Sequence, residues 1–99
     1  MSQKEVRLTA VLRAQPGKEA ELEATLRKLA TEVRGEPGCV QYTLHANPAE
    51  PGEFVFYEIW ADQAALDQHA QAPALQAVRG PFELLLREPP LLTFLQVLS

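Results

Sequence analysis

A chain of 99 residues has room for one core, so a single domain spanning residues 1–99 is expected. A net charge of −4 without any block of Lys or Arg argues against duplex nucleic acid and anionic membrane as partners. Cys39 is the only cysteine, which excludes an intramolecular disulfide and a cysteine-based metal site and fits a reducing compartment. The N-terminus MSQKEVRLTA has no apolar core or small-residue cleavage site, and no run approaches the ~18 apolar residues of a membrane helix. A soluble cytoplasmic protein is the expectation.

Val6–Arg13 sets Val6, Leu8, Ala10 and Leu12 against Arg7, Thr9, Val11 and Arg13, the period of a half-buried strand. Pro16-Gly17 turns the chain into Lys18–Arg34, where Leu22, Leu26, Leu29 and Val33 form one stripe of an amphipathic helix. Glu23 and Arg27 form a favourably oriented pair on its outer face, and Gly35 is the expected C-cap before Pro37-Gly38. Val40–His45 reads as a second strand with Val40, Tyr42 and Leu44 on one face. The turn-rich loop Asn47–Glu53 leads into a third strand, Phe54–Ala61.

Asp62 is a good N-cap for a helix to about Gln71 whose inner face would be Ala65, Leu66 and His69. Pro73 suits the first turn of the next segment, Ala74–Arg87, where Gly80-Pro81 predicts a kink or two short helices. After Pro89-Pro90 the tail LLTFLQVL reads as a last strand, apolar on both faces.

The order β-α-β-β-α-(α)-β is that of a ferredoxin-like split β-α-β: an α+β fold with a four-stranded antiparallel sheet and helices on one face. The strand Phe54–Ala61 places Phe54, Phe56, Glu58 and Trp60 on one side and Val55, Tyr57, Ile59 and Ala61 on the other, so neither side suits water. Helices can cover only one face, and the other would leave a large apolar patch. A symmetric homodimer packed sheet on sheet is the simplest cover.

Gln15–Leu22 (QPGKEAEL), Glu36–Tyr42 (EPGCVQY), Phe54–Ala61 (FVFYEIWA), Ala65–His69 (ALDQH) and Ala72–Leu75 (APAL) occur in this order. Together they resemble the antibiotic biosynthesis monooxygenase (ABM) domain family, with a likeness running from about residue 6 to residue 98. The resemblance implies a ferredoxin-like protomer in a dimeric α+β barrel, with a pocket between sheet and helices. Activities in that family include cofactor-independent oxygenation of phenols and quinols, haem degradation, and isomerisation of a small phosphorylated molecule, so fold alone does not fix chemistry.

Glu58 and Trp60 match the family's E-x-W. A carboxylate among aromatics would have a raised pKa and could take a proton from a phenol or enol, or it could only accept hydrogen bonds that hold the fold. Trp60 could stack on a flat ligand or serve as core. His69 matches the histidine of the family's second-helix pattern and reads either as base or substrate orienter, or as a hydrogen-bonded core residue. Arg79 stands where haem-degrading relatives carry an iron-ligating histidine, and Ala10 near where they carry an asparagine, so haem degradation is not expected. Arg79 could instead bind an anionic oxygen, or simply be solvated.

The sequence shows no metal-ligand spacing, no phosphate loop and no dinucleotide fingerprint, so neither cofactor nor metal is expected. The leading expectation is a cofactor-independent monooxygenase acting with O2 on a small planar phenolic or quinol-type molecule. His69 and Glu58 are its candidate catalytic groups, and Trp60, Phe54, Phe56, Tyr42, Leu75 and Arg79 its candidate substrate contacts. The alternatives are a non-catalytic ligand-binding or stress-response module, and an isomerase of a small phosphorylated or dicarbonyl compound that would need Arg79 or Arg7 in the pocket.

Overall fold

The alternating and helical patterns resolve, in a computed structural model describing residues 4–99, into seven elements. These are β1 (Val6–Arg13), α1 (Glu19–Val33), β2 (Cys39–Ala46), β3 (Glu53–Trp60), α2 (Gln63–Gln71), α3 (Pro73–Leu85) and β4 (Leu91–Leu95). Part of the N-terminal reading concerns residues 1–3, which lie outside the described residues. The sheet is antiparallel with order β2-β3-β1-β4, the split β-α-β arrangement, and β4 forms one edge. No helix among the described residues is long and apolar enough to cross a membrane.

The core lies between one face of the sheet and the three helices. Leu8, Ala10 and Leu12 of β1, together with Phe54, Phe56 and Trp60 of β3, are buried against the α1 stripe of Leu22, Leu26, Leu29 and Val33. Each α1 leucine loses essentially all contact with water, so truncating one to alanine removes about 2–5 kcal/mol. On the opposite face of the sheet, Ile59 is shielded between its cross-strand neighbours Arg7 and Gln41, and Arg7 donates to Tyr57 Oη at 3.3 Å.

Asp62 caps α2 as expected, its carboxylate accepting from Ala65 N at 2.9 Å. Four local expectations are corrected. Val40 does not join Tyr42 and Leu44 inside: a bulge between Cys39 and Gln41 turns it outward, leaving it 54% exposed. Gly35 does not end α1 in a left-handed conformation; that role in the α1–β2 loop falls to Gly38, with φ +79°.

The third correction is that α3 is one continuous helix through Pro81 rather than two short ones. Pro81 leaves the carbonyl of Ala77 without its helical partner, but Ala77, Gly80 and Pro81 all lie on the exposed side, where water can satisfy it. Fourth, β4 stops at Leu95, not Leu98: Leu95 pairs with Arg7, and only Val6 of β1 remains beyond it.

Gly38 fixes how the α1–β2 loop meets α2. Its carbonyl accepts from Ala61 N at 2.8 Å, and a Cβ at this position would overlap Ala65 Cβ. Gly38→Ala therefore combines a left-handed backbone penalty with a forced displacement of the loop. The expected loss is about 2–5 kcal/mol of unfolding free energy in urea titration; a change below about 0.5 kcal/mol would contradict this packing.

Candidate active site

Antiparallel pairing assembles one cross-strand row on the helix-facing side of the sheet: Phe94 (β4), Leu8 (β1), Glu58 (β3) and Tyr42 (β2). Leu92, Ala10, Phe56 and Leu44 form the next row. These rows floor a cavity of about 450 Å3 roofed by α2 and α3, with His69 and Leu66 on one side and Leu75 and Phe82 on the other. The mouth lies at β4, where Leu92 and Phe94 line the cavity yet remain more than half exposed.

Trp60 organises the polar part of this space. It is fully buried, its indole Nε1–H donates to Glu58 Oε1 at 3.0 Å, and its face stacks on the His69 ring at a centroid distance of 4.5 Å. Tyr42 meets both rings edge-on and stacks on Phe56 at 4.4 Å. On its other side His69 Nδ1 lies 2.9 Å from Glu36 Oε1, so against that acceptor the ring donates.

No protein group among the described residues hydrogen-bonds Glu58 Oε2, His69 Nε2 or Tyr42 Oη, although all three residues are buried. None of these atoms is sealed from solvent: among the described residues the only polar side-chain atom both sealed and unpartnered is Glu36 Oε2. The three residues that carry these atoms all line one largely apolar cavity. Burial pushes the Glu58 carboxyl up to about 7, only partly offset by the Trp60 hydrogen bond. Burial, and then the nearby carboxylate charges, push the Tyr42 phenol up, keeping it protonated and able to donate.

Of the residues singled out from sequence, Tyr42, Phe56, Glu58, His69 and Leu75 line this cavity. Three do not. Trp60 lies behind His69, which covers its face, so it supports the site without forming a wall. Phe54 is two residues nearer the hairpin and sits under α1, beside a separate hollow of about 280 Å3. Arg79 donates to the Ala70 carbonyl at 3.2 Å and lines an outer groove of about 650 Å3 that meets the cavity at Leu75, Phe82 and Pro90. Glu36 was missed as a site residue, because its EPG context reads only as a turn. Among the described residues no group of three or more His, Cys, Asp or Glu is placed to hold a metal ion.

A carboxyl whose pKa is raised on folding binds its proton more tightly in the folded state, so its contribution is fully present below about 4.5 and is lost as pH rises through about 7. At 1.36 kcal/mol per pKa unit the loss is on the order of 3 kcal/mol. Glu58→Gln should remove that decline, so the wild-type-minus-variant stability difference measured in urea should shift by this amount between pH 4.5 and 8. A pH-independent difference would show that Glu58 is ionised at no cost in the folded chain.

The antibiotic biosynthesis monooxygenase family model matches residues 6–80. Rv0793 of Mycobacterium tuberculosis, named a putative monooxygenase, is 33% identical over 84 residues, covering 85% of this chain and 82% of its own. Its solved structure superposes with a TM-score of 0.87, covering 96% of each chain. The structure of PA3566 from Pseudomonas aeruginosa is 31% identical with a TM-score of 0.92, covering 100% of this chain and 99% of its own. An uncharacterised Synechocystis protein, sll1783, is 36% identical over 62 residues, a match covering 63% of this chain but only 42% of that longer protein. With the family pattern spanning all but the last turns of α3 and β4, the chain belongs to the antibiotic biosynthesis monooxygenase family.

Proposed function

We propose that the chain, as one domain over residues 1–99, is a monooxygenase that works without a bound cofactor on a small planar phenolic or quinol-type molecule. The observation that carries this reading is that Glu58 and His69, each with a proton acceptor neither sealed from solvent nor hydrogen-bonded to a described residue, line the same apolar cavity. A phenol near pKa 10 is about 4 kcal/mol uphill of a carboxyl at about 7, against about 8 kcal/mol for an ordinary glutamate, so burial of Glu58 supplies roughly half of the gap. Tyr42 can donate to a second substrate oxygen.

The chemistry needs no external reductant. Deprotonation of a hydroquinone gives an electron-rich anion that reduces O2 and forms a carbon–oxygen bond at a ring carbon. The resulting hydroperoxide loses water to give a hydroxyquinone. One oxygen atom enters the product, the other leaves as water, and all four electrons come from the substrate. The isomerase reading for phosphorylated compounds lacks support at this cavity: among its lining residues there is no Lys or Arg, Arg79 faces the outer groove, and Arg7 points to the other side of the sheet.

We also assign a homodimer. Leu91, Leu92, Phe94, Leu95, Val97 and Leu98 are 44–90% exposed along an edge that no helix covers, an apolar stripe suited to a second copy. The free Cys39 supports a reducing, cytoplasmic location.

Oxygen uptake should be seen with a panel of hydroquinones at one O2 per substrate. His69→Ala and Glu58→Gln should each lower kcat by about 10²-fold or more. Tight binding without uptake would instead assign a capture module, and wild-type rates in both variants would remove these residues from the chemistry. Sedimentation should give about twice the 11.0 kDa chain mass, falling to the single-chain value in Leu95→Asp; a wild-type monomer at micromolar concentration would refute the dimer.

A further inference from the structure

The Glu36–His69 contact joins residues 33 positions apart through a route fixed by packing. Gly38 seats the α1–β2 loop against Ala65, and His69 lies one turn further along the same face of α2. The loop itself is closed around Glu36, whose N–H donates to Val33 O at 2.9 Å and whose carbonyl accepts from Cys39 N at 3.2 Å. Glu36 is thus carried to His69 by rigid elements on both sides. Its second oxygen, Oε2, is buried with no partner. A carboxylate held only for structure would be expected to use both oxygens, since a sealed, unpaired one is costly and such costs are retained mainly where a group has further work.

We propose that Glu36 is a positioning residue for His69, a reading that rests on His69 acting as the base. The carboxylate takes the Nδ1–H, which fixes the neutral ring as the Nδ1–H tautomer and leaves the Nε2 lone pair facing the cavity. Stacking on Trp60 fixes the ring plane while Glu36 fixes its rotation, so the lone pair has one direction. When a bound phenol is deprotonated, its O–H bond breaks and an Nε2–H bond forms. The imidazolium then lies against the Glu36 carboxylate, which keeps accepting the Nδ1–H. The Nε2 proton later returns to the oxygen leaving as water. Without Glu36 a neutral histidine would favour the tautomer that carries its proton on Nε2 and blocks the accepting nitrogen.

Nitrogen NMR of 15N-histidine-labelled protein reads the tautomer directly, with His45→Gln supplying the assignment of the second ring. At a pH where His69 is neutral the wild type should show the Nδ1–H form, and Glu36→Ala should convert most of it to the Nε2–H form. Glu36→Gln keeps an acceptor but loses the charge. Its kcat for hydroquinone-dependent O2 uptake should fall at least tenfold, with KM within twofold. An Nε2–H tautomer in the wild type would overturn the proposal, as would an unchanged tautomer in Glu36→Ala alongside only a loss of thermal stability. Should Glu36→Ala fail to fold, the wild-type tautomer and the Glu36→Gln kinetics still decide. Should no hydroquinone be oxidised, the tautomer result stands apart from the failure of the oxygenase reading.

Discussion

A single indole sets the terms for the rest of this molecule. Trp60 is sealed from water, and a buried indole N–H must find an acceptor. Side chains two residues apart on a strand share a face, so the acceptor nearest to hand is Glu58, which the same burial removes from solvent. The cost of that burial is a carboxyl whose pKa moves up to about 7, into the range where it can hold or release a proton under ordinary conditions. The ring's exposed face is then covered by His69, bringing a second proton acceptor to the same place. Packing and acid–base chemistry are therefore one arrangement, not two.

The cavity follows from how three helices cover four strands. α1 packs toward the β2 side of the sheet and against α3, and α2 sits between α3 and β3, leaving β4 exposed at the edge. The result is a space closed at the Glu58–His69 end and open at Leu92 and Phe94. Its polar lining is Glu58, His69 and Tyr42 with Gln63 and Asp67, and the nearby cations Arg79 and Arg87 lie outside, in the groove beyond Leu75 and Phe82. Such a site favours a neutral, flat molecule with hydroxyl groups to donate over an anion. The uncovered apolar edge beside the mouth is the surface proposed to take a second copy, and under that proposal assembly and access to the site are linked.

Much of the fold was legible because periodicity is a local property. The alternation in β1 and β3, the leucine stripe of α1 and the cap at Asp62 each reflect neighbours within a few residues. Alternation in β3 also placed Glu58 and Trp60 on one side before any tertiary information, but with both sides apolar it did not decide which one faces the helices. Failures came where a longer-range balance decided. The bulge that expels Val40 depends on β2 matching the register of β3, the end of β4 on where β1 begins, and the continuity of α3 on which side of the helix faces water. In the site, Trp60 and Arg79 were assigned to ligand contact by residue type, but a histidine covers one and a helix-end carbonyl engages the other. Glu36 was invisible for a related reason. Its partner lies far away in the sequence, and only the absence of a side chain at Gly38 lets the two meet.

The central claim is that Glu58 and His69 act together on one molecule held between sheet and helices. An anaerobic crystal structure with a bound hydroquinone tests it most directly, since without O2 the substrate cannot turn over. The account predicts the ring in the cavity against Phe56 and Leu75, with its hydroxyl groups within hydrogen-bond distance of Glu58 Oε2 or His69 Nε2. A hydroquinone seated instead in the outer groove beside Arg79, with the cavity collapsed or empty, would contradict it.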